Sequence, residues 1–356
     1  MVTSGNLVRI GFLDGDRAVV GLRGLGEAAE PLAPLLARSA DPDQALAGLL
    51  SLIDSVDDPT DLVDALVNDE GTSMRLFSVL GMSQALGDHL RRHPEHWREL
   101  TDPTLGSART VAFAVRAGLM EAVGADPWAA EPLATLEHRA AGDALRVEYR
   151  RVLLRLASRD LADHVDVDDI AAELSDLAAG TLDAALAVAR SKVGDAAADC
   201  RLAVVAMGKC GGHELNYVSD VDVIFVAEPV DGADEQAALR GATQLASTLM
   251  QVCSEQTGEG TIWPVDAALR PEGKSGPLVR TIASHAGYYG RWAKTWEFQA
   301  LLKARPVAGD RALGEEYAAT IGPLEDAVAP DRTRDESPVL MADLAAEDGV
   351  RPVSPV

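Results

Sequence analysis

The sequence predicts an α+β protein: an all-helical N-terminal region followed by a small mixed β-sheet flanked by helices. Three observations predict it. Up to about residue 200, apolar residues recur at three- and four-residue steps and no strand-like alternation appears. Two apolar runs, Leu202–Met207 and Val223–Ala227, then flank a glycine-rich turn. Further on, Thr261–Leu269 alternates like a strand. A chain of 356 residues allows two domains. With 47% apolar but only 4% aromatic residues, its cores must be built mainly from Leu, Ala and Val.

Residues 1–25 are Gly-rich and weakly patterned and read as a loosely ordered lead-in. A helical domain is expected over 26–198. Asp41-Pro42 and Asp58-Pro59 each place an N-cap before a proline at the first helical position. Helical spacing continues through Met74–Leu90, Ala108–Val123 and Glu131–Leu161, and Val167–Val193 reads as one or two further helices, interrupted near Gly180. The sheet-containing domain is expected over 199–323. It adds a long helix at Asp234–Thr257, a possible strand at Leu278–Ile282, and helices at Ser284–Trp292, Lys294–Lys303 and from Asp310 to about Ile321. Residues 324–356 carry scattered Pro and Asp and read as a divergent, poorly ordered tail.

The net charge of −24 argues against broad binding to a nucleic-acid backbone. Three cysteines without paired spacing suit a reducing cytoplasm, and no apolar run of about 18 residues points to a membrane. A cytoplasmic protein without nucleic-acid or membrane partners is the expectation.

The chemistry concentrates in Leu202–Glu228. Asp220 and Asp222 stand at the mouth of an apolar strand, where i and i+2 side chains project together. Carboxylates beside a core are costly unless paired or bound to a metal. Asp266, inside the later alternating strand, could join them. Three carboxylates can hold two Mg²⁺ or Mn²⁺ ions about 4 Å apart, the spacing that clamps a phosphoryl group. The turn Gly208–Gly212, with Gly208, Gly211 and Gly212, offers backbone N–H groups and Lys209 to an anionic nucleotide tail. Between Arg270 and Arg305, seven basic residues face two acidic ones, a local excess suited to a phosphate-rich ligand.

Gly208-Lys209-Cys210-Gly211-Gly212-His213-Glu214-Leu215-Asn216-Tyr217-Val218-Ser219-Asp220-Val221-Asp222-Val223-Ile224-Phe225 resembles the bifunctional glutamine synthetase adenylyltransferase/adenylyl-removing enzymes of the nucleotidyltransferase superfamily. Val265–Pro271, Lys274–Val279, Tyr288-Tyr289, Trp296-Glu297 and Leu302–Arg305 follow in that family's order. The resemblance implies a nucleotidyltransferase-type sheet and a catalytic domain at 199–323. It implies that Asp220, Asp222 and Asp266 ligate the metals, that Ser219 belongs to the nucleotide site, and that Lys209, Arg270 and Lys303 neutralise phosphate charge. Family members carry two such modules, and this copy, preceded by helices, resembles the N-terminal one. That copy removes AMP from a modified tyrosine of adenylylated glutamine synthetase, using phosphate and releasing ADP. Adenylylation from ATP is the alternative, as is a non-catalytic fragment binding glutamine synthetase or the PII signal protein. Past Pro323 the resemblance stops and no second module follows, so the expectation is a truncated or altered form.

The chain carries its own control. Asp166-Val167-Asp168-Asp169 has the same spacing but precedes a helical pattern with no glycine turn, and reads as helix capping. His93 and His96 read as a solvated helix junction, because no third ligand lies near in sequence.

Overall fold

The computed structural model describes residues 3–105, 109–162 and 165–332. The chain forms two compact units. One comprises Met1–Leu119, Asp143–Leu177 and Gln256–Gly260; the other comprises Met120–Gly142, Ala178–Glu255 and Thr261–Val356. Together they are an α+β protein, with helices throughout the first part and a five-stranded mixed sheet after residue 199.

The first unit begins earlier than its periodicity suggests. Helices Ser4–Ile10 and Gly15–Gly24 start at Thr3 and Asp14, whose side chains accept hydrogen bonds from the Asn6 and Arg17 amides. Leu7, Phe12, Ala18 and Leu22 share one core with Leu46, Leu49, Phe77 and Leu80. The expected loose lead-in is therefore packed structure. Each helix is too short for a periodicity window, and Gly11, at φ 122°, breaks the pattern between them.

Helices Pro42–Ile53 and Pro59–Asn68 start where the Asp-Pro pairs predict, with Asp41 capping Gln44 and Asp58 capping Thr60 and Asp61. Val167–Val193 is one uninterrupted helix, not a pair. Gly180 costs about 1 kcal/mol of helix propensity, and its buried neighbours Leu177, Ala178, Thr181 and Leu182 outweigh that. Asp168 and Asp169 fall in the helix's first turn. Arg159 donates to both carboxylate oxygens of Glu173, at 2.9 and 2.8 Å, with both side chains buried.

The junction at His93 and His96 is half-buried rather than fully solvated. His89, fully buried, has its Nε2 2.9 Å from His96 Nδ1, and His93 Nε2 lies 2.8 Å from Glu259 Oε2. Burial, then the neighbouring His96 and His93 rings, push the His89 imidazole down to about 3. Arg92 donates to the Gly258 carbonyl and lies 3.7 Å from Glu259, whose carboxylate brings negative charge to this basic group.

In the second unit, β1 (Cys200–Ala206) pairs antiparallel with β2 (Val221–Pro229). The short β3 (Val265–Asp266) and β4 (Val279–Arg280) both run parallel to β2, along its other edge. β5 (Arg305–Gly309) lies antiparallel to the outer side of β1. Of the alternating segment Thr261–Leu269, only β3 is regular strand. Ala203, Val205, Met207, Ile224 and Val226 form one core with Ile282, Tyr289, Phe298, Leu301, Leu313 and Tyr317 of the later helices. Helix Glu235–Ser254 also packs on β1 and β2, burying Ala238, Ala242, Leu245, Leu249 and Val252 at helical spacing. With helices against it, β1 and β2 read as continuous apolar runs. The last helix, Arg311–Arg332, enters the region expected to be a tail; residues 333–356 lie outside the described residues.

Candidate active site

The register of the sheet builds the carboxylate group. Asp222 is the second residue of β2 and lies directly opposite Asp266 of β3. Period-two alternation gives Asp222 the same side as Ile224 and Val226, which face the helix-covered core. Asp220 precedes the strand by one residue. Ligand oxygens of Asp220, Asp222 and Asp266 all lie within 4.8 Å of one another. The site thus sits where an apolar sheet face runs out into solvent.

Three carboxylates so close are electrostatically unfavourable by themselves. Burial, then the charges of Asp220 and Asp266, push the Asp222 carboxyl up to about 6, while Lys209 pulls it down. Asp266 Oδ1 accepts a hydrogen bond of 2.7 Å from the Ala268 amide. An all-oxygen donor set with excess negative charge fits a hard divalent cation. Among the described residues, no other group of three or more His, Cys, Asp or Glu side chains brings its ligand atoms this close.

The glycine turn is moulded to this group. Met207 donates its amide to the Asp222 carbonyl at 2.8 Å, leading β1 directly into the turn. Gly208 has φ +51°, and a Cβ there would stand 2.6 Å from Asp222 Oδ2. At Gly211 a Cβ would meet the Lys303 carbonyl oxygen at 1.9 Å, so the turn lies flat against the segment before β5. Neither position admits a side chain without displacing backbone or carboxylate.

The remaining candidates divide. Lys209 acts electrostatically on Asp222 and donates to Asn216 Oδ1 at 3.1 Å. Ser219 is half-buried, immediately before Asp220. Lys303 lies against Gly212 and is paired with Glu214 at 2.6 Å. Arg270 spends its guanidinium on backbone, donating to the carbonyls of Ala267, Lys274, Gly276 and Pro277. It shapes the loop after β3 and also lines a cavity of about 600 Å³ beside Asp220 and Asp266. Lys274 gives that cavity a second cation, and Met250, Val265 and Leu278 give it apolar wall. An acidic edge, a basic edge and an apolar wall together suit a nucleotide-sized ligand.

Two features escaped the sequence reading. Met250 and Ser247 line the cavity from helix Glu235–Ser254, where helical periodicity marks only the core face. Arg305 donates to the carbonyls of Cys210 and Gly211, at 2.9 and 3.2 Å. In the sequence it stands only among the basic residues of a positive segment and at the end of the Leu302–Arg305 block, with nothing to show what it binds.

Known proteins resemble the chain over most of its length. The family model described as glutamate-ammonia ligase adenylyltransferase matches residues 73–320. The bifunctional glutamine synthetase adenylyltransferase/adenylyl-removing enzyme of Streptomyces avermitilis is 56% identical over 292 residues, covering 81% of this chain and 28% of its own length. The protein of the same name from Streptomyces coelicolor is 52% identical over 328 residues, 89% of this chain and 31% of its own. That from Mycobacterium tuberculosis is 45% identical over 297 residues, 81% of this chain and 27% of its own. The chain therefore spans about a third or less of the length of these relatives. Among the described residues, no helix is long and apolar enough to cross a membrane.

Proposed function

Because the chain belongs to the glutamate-ammonia ligase adenylyltransferase family, we propose that its sheet unit is a nucleotidyl-transfer module acting on glutamine synthetase, in the direction that removes AMP. The observation that carries the reading is the meeting of Asp220, Asp222 and Asp266 within 4.8 Å beside the glycine turn. The direction rests on the helices preceding the module, the arrangement that the resemblance assigns to the adenylyl-removing copy.

In this reading the three carboxylates hold Mg²⁺ or Mn²⁺, two ions at full occupancy. When bound, the ions neutralise charge on the transferring phosphoryl group and the leaving oxygen. An oxygen of inorganic phosphate forms a bond to the adenylyl phosphorus, the bond to the tyrosyl oxygen breaks, and ADP departs. The tyrosyl oxygen takes up a proton. Lys209, on the turn, supplies fixed positive charge close to the carboxylates, and Lys274 supplies it across the cavity; such preorganised charge is the main lever in phosphoryl transfer. Lys303 becomes available to the substrate by exchanging Glu214 for a phosphate oxygen. No nucleophilic side chain is required. PII signal protein is the regulatory partner that the family resemblance brings with it.

The test mixes the chain with adenylylated glutamine synthetase, Mg²⁺ and phosphate, and follows ADP. Phosphate-dependent ADP release that disappears in Asp220→Asn is the expected result. Incorporation of AMP from ATP in its place would reverse the direction. Binding to glutamine synthetase with neither reaction would make the module a docking element.

A further inference from the structure

We propose that Arg305 is a positioning residue, whose guanidinium holds the glycine turn in the one placement that sets Gly208 and Lys209 against the carboxylates. The inference rests on the nucleotidyl-transfer reading above and adds to it a residue outside the metal-binding and charge-neutralising groups.

The first observation is the hydrogen bonding. Gly208–Gly211 is a single helical turn, and its last carbonyls meet a side-chain donor besides backbone amides such as that of His213, which reaches the Cys210 carbonyl at 3.5 Å. Arg305 takes two of them at once, Nη2 to Cys210 and Nε to Gly211. A forked donor that binds two consecutive carbonyls fixes orientation as well as distance, which a lysine cannot do.

The second is the strand that carries it. β5 pairs with β1 in register from Gly309 opposite Ala203 to Ala308 opposite Val204, then shifts, so that Pro306 faces Val205 and Arg305 faces Ala206. Val307 is the extra residue of a bulge. Side chains alternate along a strand, so one inserted residue reverses the side that Arg305 takes. Without the bulge, Pro306 would stand opposite Ala206, at the end of β1 from which the turn departs.

The third is the packing behind the turn. Gly211 has no space for a Cβ because the Lys303 carbonyl occupies it, and Gly212 lies against the Lys303 side chain. The segment 303–305 is thus a wall on one side of the turn, while Gly208 touches Asp222 on the other. Moving the turn off this wall moves Lys209 relative to the carboxylates.

The experiment compares the chain with Arg305→Ala and Arg305→Lys, using titration calorimetry and thermal melting. Mn²⁺ alone reads the carboxylates, and ADP added to the Mn²⁺-loaded chain reads the turn. The expected result is unchanged Mn²⁺ affinity, with ADP affinity weakened roughly tenfold in Arg305→Ala through loss of two charge-assisted hydrogen bonds. Arg305→Lys should recover only part of that loss. Millimolar guanidinium, below denaturing strength, should restore ADP binding to Arg305→Ala, which a general loss of folding would not allow. Unchanged ADP affinity in Arg305→Ala overturns the inference. So does a parallel loss of Mn²⁺ and ADP binding with a lowered melting midpoint and no rescue. A wild-type chain that binds Mn²⁺ but not ADP fails the nucleotidyl-transfer reading itself, and this inference with it, before any variant is compared.

Discussion

Arg159 and Glu173 of the helical unit are almost wholly out of water, at 5% and 6% side-chain exposure, and each neutralises the other through two hydrogen bonds. In the sheet unit, Asp220, Asp222 and Asp266 gather charge of one sign, and only Lys209 counters it at Asp222. Both arrangements place ionisable groups at the edge of an apolar core. The first closes on itself and serves the fold. The second stays electrostatically open and is stable only because it reaches solvent or a cation. Charge left without a full partner inside the chain is what the proposed function puts to use.

The largest expected effect separates the two groups by function. On the proposed function, Asp222→Asn should lower phosphate-dependent ADP release by about a thousandfold or more, since it would remove one of the three carboxylates proposed to hold the metal. In metal-free buffer the same variant should melt no lower than wild type, because like-charge repulsion is relieved. A clear fall in the metal-free midpoint would mean that the carboxylates serve the fold.

Arg159→Met tests the other side. Leaving Glu173 buried without its partner should cost about 3–5 kcal/mol in urea unfolding, and adding Glu173→Leu should return most of it. Failure of the double variant to recover would show that the pair does more than neutralise itself. Gly211→Ala is expected to cost less, about 1–3 kcal/mol, because its new methyl must push the Lys303 carbonyl away. Unlike the Arg159 change, it should also weaken ADP binding. A variant with wild-type ADP affinity would show that the turn tolerates displacement.

Local sequence carried much of this architecture, and its gaps have physical causes. Asp41-Pro42 and Asp58-Pro59 were legible because capping depends on three or four neighbouring residues. The two Asp-x-Asp stretches were separable because one precedes helical periodicity and the other follows a glycine turn between apolar runs. What stayed hidden depends on residues remote in sequence. The burial of Leu7 and Phe12 requires a core assembled from helices 40 to 80 residues later. The bulge that turns Arg305 toward Cys210 exists only in the pairing of β5 with β1. Arg270 and Lys303 were identified from charge and resemblance, yet side-chain type could not tell that Arg270 donates to loop carbonyls while Lys303 pairs with Glu214.

The smallest effect, and the most direct probe of the contrast, is pH dependence in the sheet unit. Asp222 has a carboxyl raised to about 6 from an ordinary 3.8, first by burial and then by its two acidic neighbours. The folded chain therefore binds this proton more readily than the unfolded chain. That contribution to metal-free stability is complete below 3.8 and is lost as pH rises through about 6. Because the group is partly exposed, the gain on acidification should be only about 1 kcal/mol after solvent screening. Mn²⁺ competes with the proton, so its affinity should run the opposite way and strengthen as pH rises through the same window. Calorimetry of Mn²⁺ binding at several pH values, repeated on Asp222→Asn, reads both signs. A Mn²⁺ affinity independent of pH in the wild-type chain would mean that Asp222 is ionised throughout, and that the carboxylates are compensated from within the protein as Glu173 is.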